Sequence, residues 1–73
     1  MTREETILKM LEDKLGGKKV DKDAALKSLG IDSLDIVEIV SDAEEAFKIE
    51  FSNEELETIR TVQDIIDLAN KKK

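Results

Sequence analysis

Residues 29–48 read Leu29-Gly30-Ile31-Asp32-Ser33-Leu34-Asp35-Ile36-Val37-Glu38-Ile39-Val40-Ser41-Asp42-Ala43-Glu44-Glu45-Ala46-Phe47-Lys48. From Ser33 onward the apolar side chains recur at helical spacing. Leu34, Val37, Val40, Ala43 and Phe47, flanked by Ile36 and Ile39, form a wide apolar face. Asp35, Glu38, Asp42, Glu44 and Glu45 supply most of the opposite side. Asp32 and Ser33 are both residue types preferred at a helix N-cap, so either can start this helix. An amphipathic helix must bury its apolar face against something, and the flanking sequence has to provide it.

Upstream, Ile7, Leu8, Leu11 and Leu15 repeat at the same spacing among Arg3, Glu4, Glu5, Lys9, Glu12 and Asp13. Thr2 followed by Glu5 is a candidate capping box, and Gly16-Gly17 stops the segment. Downstream, Ser52-Asn53-Glu54-Glu55 is a helix start, but Leu56 and Ile59 are the only apolar residues before Thr61, which predicts a short helix. Thr61 then caps a last helix through Val62, Ile65, Ile66 and Ala69, ending in a Lys run that suits the negative end of the helix dipole. Period-2 alternation and hairpin turns are missing. The expectation is an all-α fold: a small antiparallel helix bundle of three main helices plus one short helix, forming a single domain over residues 1–73. The connection from Gly16 to about Asp32 is long for a bundle, and long loops are commonly functional. Its Ala24-Ala25-Leu26 and Leu29 should pack it onto the core with a helical turn.

Composition narrows the chemistry. A chain of 73 residues buries only about 60% of its unfolded surface, so the core must be economical. Cys and His are both absent, which removes disulfides, thiolate metal ligands and the commonest general base. The acidic spacings fail the calcium-loop test, because Asp21-Lys22-Asp23 lacks the further ligands at their required offsets. Neither a metal site nor catalysis by the chain itself is expected. No apolar run approaches the roughly 20 residues of a membrane span, and no signal peptide opens the chain. Stable membrane insertion is therefore not expected, and a soluble, cytoplasmic monomer is. The net charge is −6, and its distribution says more. Residues 1–31 carry seven basic and six acidic side chains, and residues 58–73 carry four and two. Residues 32–57 carry Lys48 alone against ten acids, a local charge of −9. Such a surface repels phosphate backbones, which argues against nucleic acid, and its self-repulsion points to a use outside the fold.

Taken alone, Asp32 or Ser33 is simply a cap. The stretch Leu29-Gly30-Ile31-Asp32-Ser33-Leu34-Asp35, however, resembles the attachment-site motif of acyl carrier proteins: Asp-Ser-Leu preceded by Leu-Gly-x and followed by an acidic residue. Val37-Glu38-Ile39-Val40, Glu44-Glu45-Ala46-Phe47, Asn53-Glu54-Glu55 and Thr61-Val62-Gln63-Asp64 extend the match at the family's spacing without gaps. The resemblance covers nearly the whole chain and is weakest over residues 16–28. It implies that Ser33 is esterified with 4′-phosphopantetheine, donated by coenzyme A through a phosphopantetheinyl transferase, and that the thiol of this arm carries acyl groups as thioesters. Ser33 is then a substrate residue of the transferase, not a catalytic one. That implication fits a chain with neither Cys nor His, whose reactive thiol would be added after synthesis.

The resemblance further implies docking of the acidic helix onto Arg/Lys patches of acyl-transferring and acyl-processing enzymes. Asp35, Glu38 and Glu44 are the leading contacts, Leu34 and Val37 their apolar neighbours, and Asp32, Ser41 and Glu45 complete the surface. It also implies an acyl-chain pocket, with Ala25, Leu26, Val40, Ala43, Leu56 and Ile59 as wall candidates. Ala25 and Ala43 stand where the family often has larger apolar residues, which suggests extra room, although Phe51 and Leu56 could refill it. Ser41 replaces a commonly apolar residue, Lys27-Ser28 replaces an acidic pair, and Ser52 replaces a frequent Pro, loosening the entry to the short helix. The expected function is that of a carrier for fatty-acid or related lipid biosynthesis. A specialised carrier for a polyketide, secondary lipid or aminoacyl pathway is the alternative, and an unmodified acidic adaptor or inhibitor is the remote one.

Overall fold

The computed structural model describes residues 2–72. Four α-helices occur among them: α1 Arg3–Lys14, α2 Ser33–Phe47, α3 Asn53–Glu57 and α4 Val62–Lys71, with a 3₁₀ turn at Lys27–Leu29. No strand is present among the described residues, and the only sheet-like pairing there is an isolated antiparallel bridge between Ala25 and Thr61. None of these helices is long and apolar enough to cross a membrane.

The helix starts lie where the capping residues put them. The Thr2 hydroxyl accepts from Glu5 N–H at 3.1 Å. Ser52 forms a complete capping box, its own N–H donating to Glu55 Oε1 at 2.9 Å while its hydroxyl accepts from Glu55 N–H at 3.1 Å. Ser52 therefore closes the entry that its place in the sequence suggested it would loosen. Lys72 adds a 2.7 Å ion pair to the same Glu55, and this bond, with the Ser52 N–H, holds the Glu55 carboxyl below its usual range. Thr61 caps α4 through Asp64 in the same way. The far end of α4 is held by Arg3, whose guanidinium donates to the carbonyls of Ala69 and Lys72 and sits 5.4 Å from the Phe47 ring. One side chain thus ties the start of α1 to the ends of α2 and α4.

α1 packs against both α2 and α4. The core comprises Ile7 and Leu11 of α1, Ile39, Val40 and Ala43 of α2, Val62, Ile65, Ile66 and Ala69 of α4, and Leu26, Ile31, Ile49 and Ile59 from the connections. Among the described residues, no polar or charged one is buried with them. The apolar face of α2 is rotated from the one its spacing suggested: Leu34 and Val37 are exposed, and Ile39 is buried in their stead. The long connection is held down by backbone bonds to the α3–α4 link and to the first turn of α4. Leu26 N–H donates to Arg60 O at 3.0 Å, Val62 N–H to Ala24 O at 3.3 Å and Gln63 N–H to Lys22 O at 2.9 Å.

The Asp64 carboxylate anchors that link. Burial raises its pKa, but the N–H groups of Arg60 and Thr61, the Thr61 hydroxyl and the Arg60 charge outweigh burial and hold it below its usual value. A depressed folded-state pKa adds stability above the unfolded carboxylate value of about 3.9, and that stability is lost as pH falls through the folded value. Asp64→Asn should therefore be less stable than the parent at pH 7, and the gap should narrow at an acid pH below the unfolded carboxylate value of about 3.9. Urea midpoints at both pH values measure it, and a gap unchanged at the lower pH would rule out the ionic contribution.

Candidate functional site

The site is the junction between the long connection and α2. Gly30 adopts φ +79°, a left-handed backbone that suits glycine, and ends the 3₁₀ turn there. Ile31 then turns inward to the core, its N–H donating to Leu26 O at 3.0 Å. Asp32 follows as the N-cap of α2: Asp32 Oδ1 accepts from Asp35 N–H at 3.0 Å, and Asp35 Oδ2 accepts from Asp32 N–H at 3.4 Å. Of the two residues that could have capped, Asp32 does so. Ser33 is the first helical residue, exposed, with its hydroxyl outside the capping box. The first backbone bond of α2 here runs from Ile36 N–H to Asp32 O, and Asp35 N–H is taken by the cap. The N–H groups of Ser33 and Leu34 are thus the orphan donors at this helix start.

Two open grooves meet at Ser33. One, of about 780 Å³, runs over Ala25, Leu26, Ile31, Ile36 and Ile59, with Lys27, Gly30, Asp32 and Arg60 at its edges. The other, of about 290 Å³, lies between Ser33, Ile36 and Val37 on one side and Leu56, Glu57 and Ile59 on the other. Four of the pocket candidates, Ala25, Leu26, Leu56 and Ile59, come together at these grooves. Val40 and Ala43 do not line them and lie in the core farther along α2. Spacing alone pointed to neither Ile36 nor Ile31 as wall residues. Ile36 sits three residues after Ser33, on the same helix face, so helical geometry could have flagged it. Phe51 packs against the core beside Lys72 and not in either groove.

The exposed side of α2 holds the remaining candidates. Leu34 is 76% exposed and Val37 52%, the two large apolar residues most open to solvent among the described residues. Asp32, Glu38, Ser41 and Glu45 are exposed with them. Asp35 and Glu38 form ion pairs with Lys14 of α1, a partner that no local sequence signal revealed. Glu44 is half-buried and accepts from Phe51 N–H at 2.7 Å, which fixes the α2–α3 connection.

This arrangement can present a phosphoester. An anion on the Ser33 hydroxyl would face two orphan N–H groups at the positive end of a helix dipole. A slender chain leaving it would lie beside an apolar floor. The exposed hydroxyl, free of capping, and the adjoining groove fit an attached phosphopantetheine arm.

A family model described as the phosphopantetheine attachment site matches residues 5–69. An acyl carrier protein of Buchnera aphidicola subsp. Acyrthosiphon pisum is 49% identical over 72 residues, covering 94% of this chain and 90% of its own. An acyl carrier protein of Syntrophus aciditrophicus is 39% identical over 70 residues, covering 92% and 88%. The crystal structure of an acyl carrier protein from Thermotoga maritima superimposes with a TM-score of 0.83 at 30% identity, over 97% of this chain and 91% of that one.

Proposed function

The chain belongs to the acyl carrier protein family, whose members bear covalently attached 4′-phosphopantetheine, and from that premise we propose that Ser33 bears the arm and that the chain delivers acyl groups to partner enzymes of fatty-acid or related lipid biosynthesis. The observation that carries the assignment is the split of roles at the start of α2: Asp32 caps, leaving the exposed Ser33 hydroxyl available at the meeting point of two grooves. Members of the family are carriers rather than catalysts, and membership implies dealings with a phosphopantetheinyl transferase and with acyl-processing enzymes.

In the loading step Ser33 Oγ attacks the β-phosphorus of coenzyme A. A new P–O bond forms as the pyrophosphate P–O bond breaks, 3′,5′-ADP leaves, and the serine proton passes to a base on the transferase. The attached arm supplies a thiol that holds acyl groups as thioesters. The chain's own residues present the hydroxyl, and the acidic face of α2 favours encounter with basic partners while leaving the complexes short-lived. Asp35, Glu38 and Glu45, with Leu34 and Val37, form the surface for that encounter, with Asp32, Ser41 and Glu44 at its margins. Ser41 is exposed on this face, where relatives serving fatty-acid synthesis commonly present an apolar residue. That position favours a specialised polyketide, lipid or aminoacyl pathway as the second reading.

Incubation with coenzyme A and a broad-specificity transferase tests the assignment by intact mass: the parent gains one phosphopantetheine and Ser33→Ala gains none. A folded parent that gains nothing with several such transferases would leave an acidic adaptor as the better description.

The grooves give a second expectation. If acyl chains lie over Ala25, Leu26, Ile36 and Ile59, each sequestered methylene contributes about 0.8 kcal/mol, roughly a fourfold change in the sheltered population. Long-chain thioesters of the loaded chain should then hydrolyse several-fold more slowly than short ones. Equal hydrolysis rates would exclude such a pocket.

A further inference from the structure

The acids of α2 are not equally available. Lys14, in the last turn of α1, places Nζ 3.8 Å from Asp35 Oδ1 and in closer contact with Glu38 Oε2. The packing of α1 against α2 carries it there. The hydrogen bond to Glu38 dominates the upward shift of the Lys14 pKa; burial opposes it, and the charges of Glu38, Asp35 and Asp42 reinforce it. Lys14 therefore stays cationic and serves the 35–38–42 stripe of the helix. A second stripe, Leu34, Val37, Ser41 and Glu45, follows helical spacing and is exposed throughout. The Glu38 side chain is itself 66% accessible, so its bond to Lys14 is open to exchange with an incoming cation.

We propose that Lys14 is an internal competitor for the basic surfaces onto which α2 docks. It occupies Asp35 and Glu38 in the free chain, and an incoming Arg or Lys has to displace it. Discrimination between partners then passes to the Leu34–Val37–Ser41–Glu45 stripe. A partner that suits this chain offers an apolar recess opposite Leu34 and Val37, with a cation about two turns farther along the helix opposite Glu45. The inference rests on the docking role proposed for α2, and its test separates the two.

The test uses the whole chain as parent, Lys14→Gln, Lys14→Arg and Lys9→Gln. Lys9 is exposed on the same helix, so its removal changes net charge equally. The first readout is the Kd for a synthetic amphipathic helix of Arg and Leu, which needs no loading. Lys14→Gln should bind about two- to fivefold more tightly than Lys9→Gln at low salt, the range an exposed ion pair can exert. The difference should fade as salt screens both competitors, and Lys14→Arg should stay at the parent value. The second readout is kcat/KM for phosphopantetheinyl transfer, which should rise in the same order. Equal changes for Lys14→Gln and Lys9→Gln in the peptide assay overturn the competitor role. A parent that gains no mass, with the peptide discrimination intact, overturns the carrier reading and leaves the competition standing.

Discussion

A chain carrying Ser33→Ala is expected to lose phosphopantetheine loading completely while keeping its stability to within about 0.5 kcal/mol, the ordinary range for an exposed substitution. The two halves of this result come from different atoms. Loading needs the Ser33 oxygen as the atom that bonds to phosphorus, and no neighbouring hydroxyl sits at the helix start to replace it. Stability does not need it, because the α2 cap is the Asp32 carboxylate, reinforced by Asp35. Asp32→Ala is the matched contrast: it should cost about 1 kcal/mol through the lost cap. Intact mass and urea denaturation of the two variants measure both halves. If Ser33→Ala proved the more destabilising, the serine would be a structural residue and the cap assignment wrong. If it still gained mass, the arm would sit elsewhere.

That contrast also marks how far the residues could be read before the fold was known. Thr2, Ser52 and Thr61 announced their helices because each stands three residues before Glu or Asp, and a cap is a local event. Asp32 and Ser33 both carry competent oxygens, so residue type leaves the cap open, although the same spacing singles out Asp32, which stands three residues before Asp35, whereas Ser33 stands before Ile36. Which face of α2 turns inward is decided by packing, which sets the helix against α1 and buries Ile39, Val40 and Ala43. The apolar set on α2 is wide enough to admit two faces, and spacing favoured the one through Leu34 and Val37. Packing chose the neighbouring face and left those two in solvent beside Ser33. Lys14 and Arg3 lay beyond sequence reasoning altogether. Arg3 reaches carbonyls 66 and 69 residues away, and Lys14 reaches an acid 24 residues away. Pairings of that kind depend on how helices dock and leave no periodic trace. The same limit applies to the grooves. Ala25, Leu26, Leu56 and Ile59 could be suggested as wall residues, but Val40 and Ala43 lie too far along α2 and too deep to line them.

Leu26→Ala is expected to have the largest effect on stability of any change near the site. Leu26 sits in a loop by sequence, yet it is 1% exposed and belongs to the same core as Ile7, Leu11 and Ile65. Truncating a buried Leu costs about 2–5 kcal/mol, the spread reflecting how far the surroundings collapse into the cavity. Collapse is restricted here, because the backbone on both sides is fixed: Leu26 N–H to Arg60 O at 3.0 Å, and Ile31 N–H to Leu26 O at 3.0 Å. A chain of this size has about 4–11 kcal/mol of total stability, so the loss approaches half of it. The exposed neighbour change Lys27→Ala, one residue along, should cost less than about 0.5 kcal/mol. Urea denaturation of both decides the matter, and a cost under about 1 kcal/mol for Leu26→Ala would mean that the connection is only loosely attached. The consequence reaches the site. Leu26 also lines the larger groove beside Ser33 and precedes the turn that ends at Gly30. Loosening it should therefore blur the position of the Ser33 hydroxyl, and transferase kcat/KM should fall in the fraction of Leu26→Ala that remains folded. A core residue supplied by the loop thus links the stability of the bundle to the presentation of its serine.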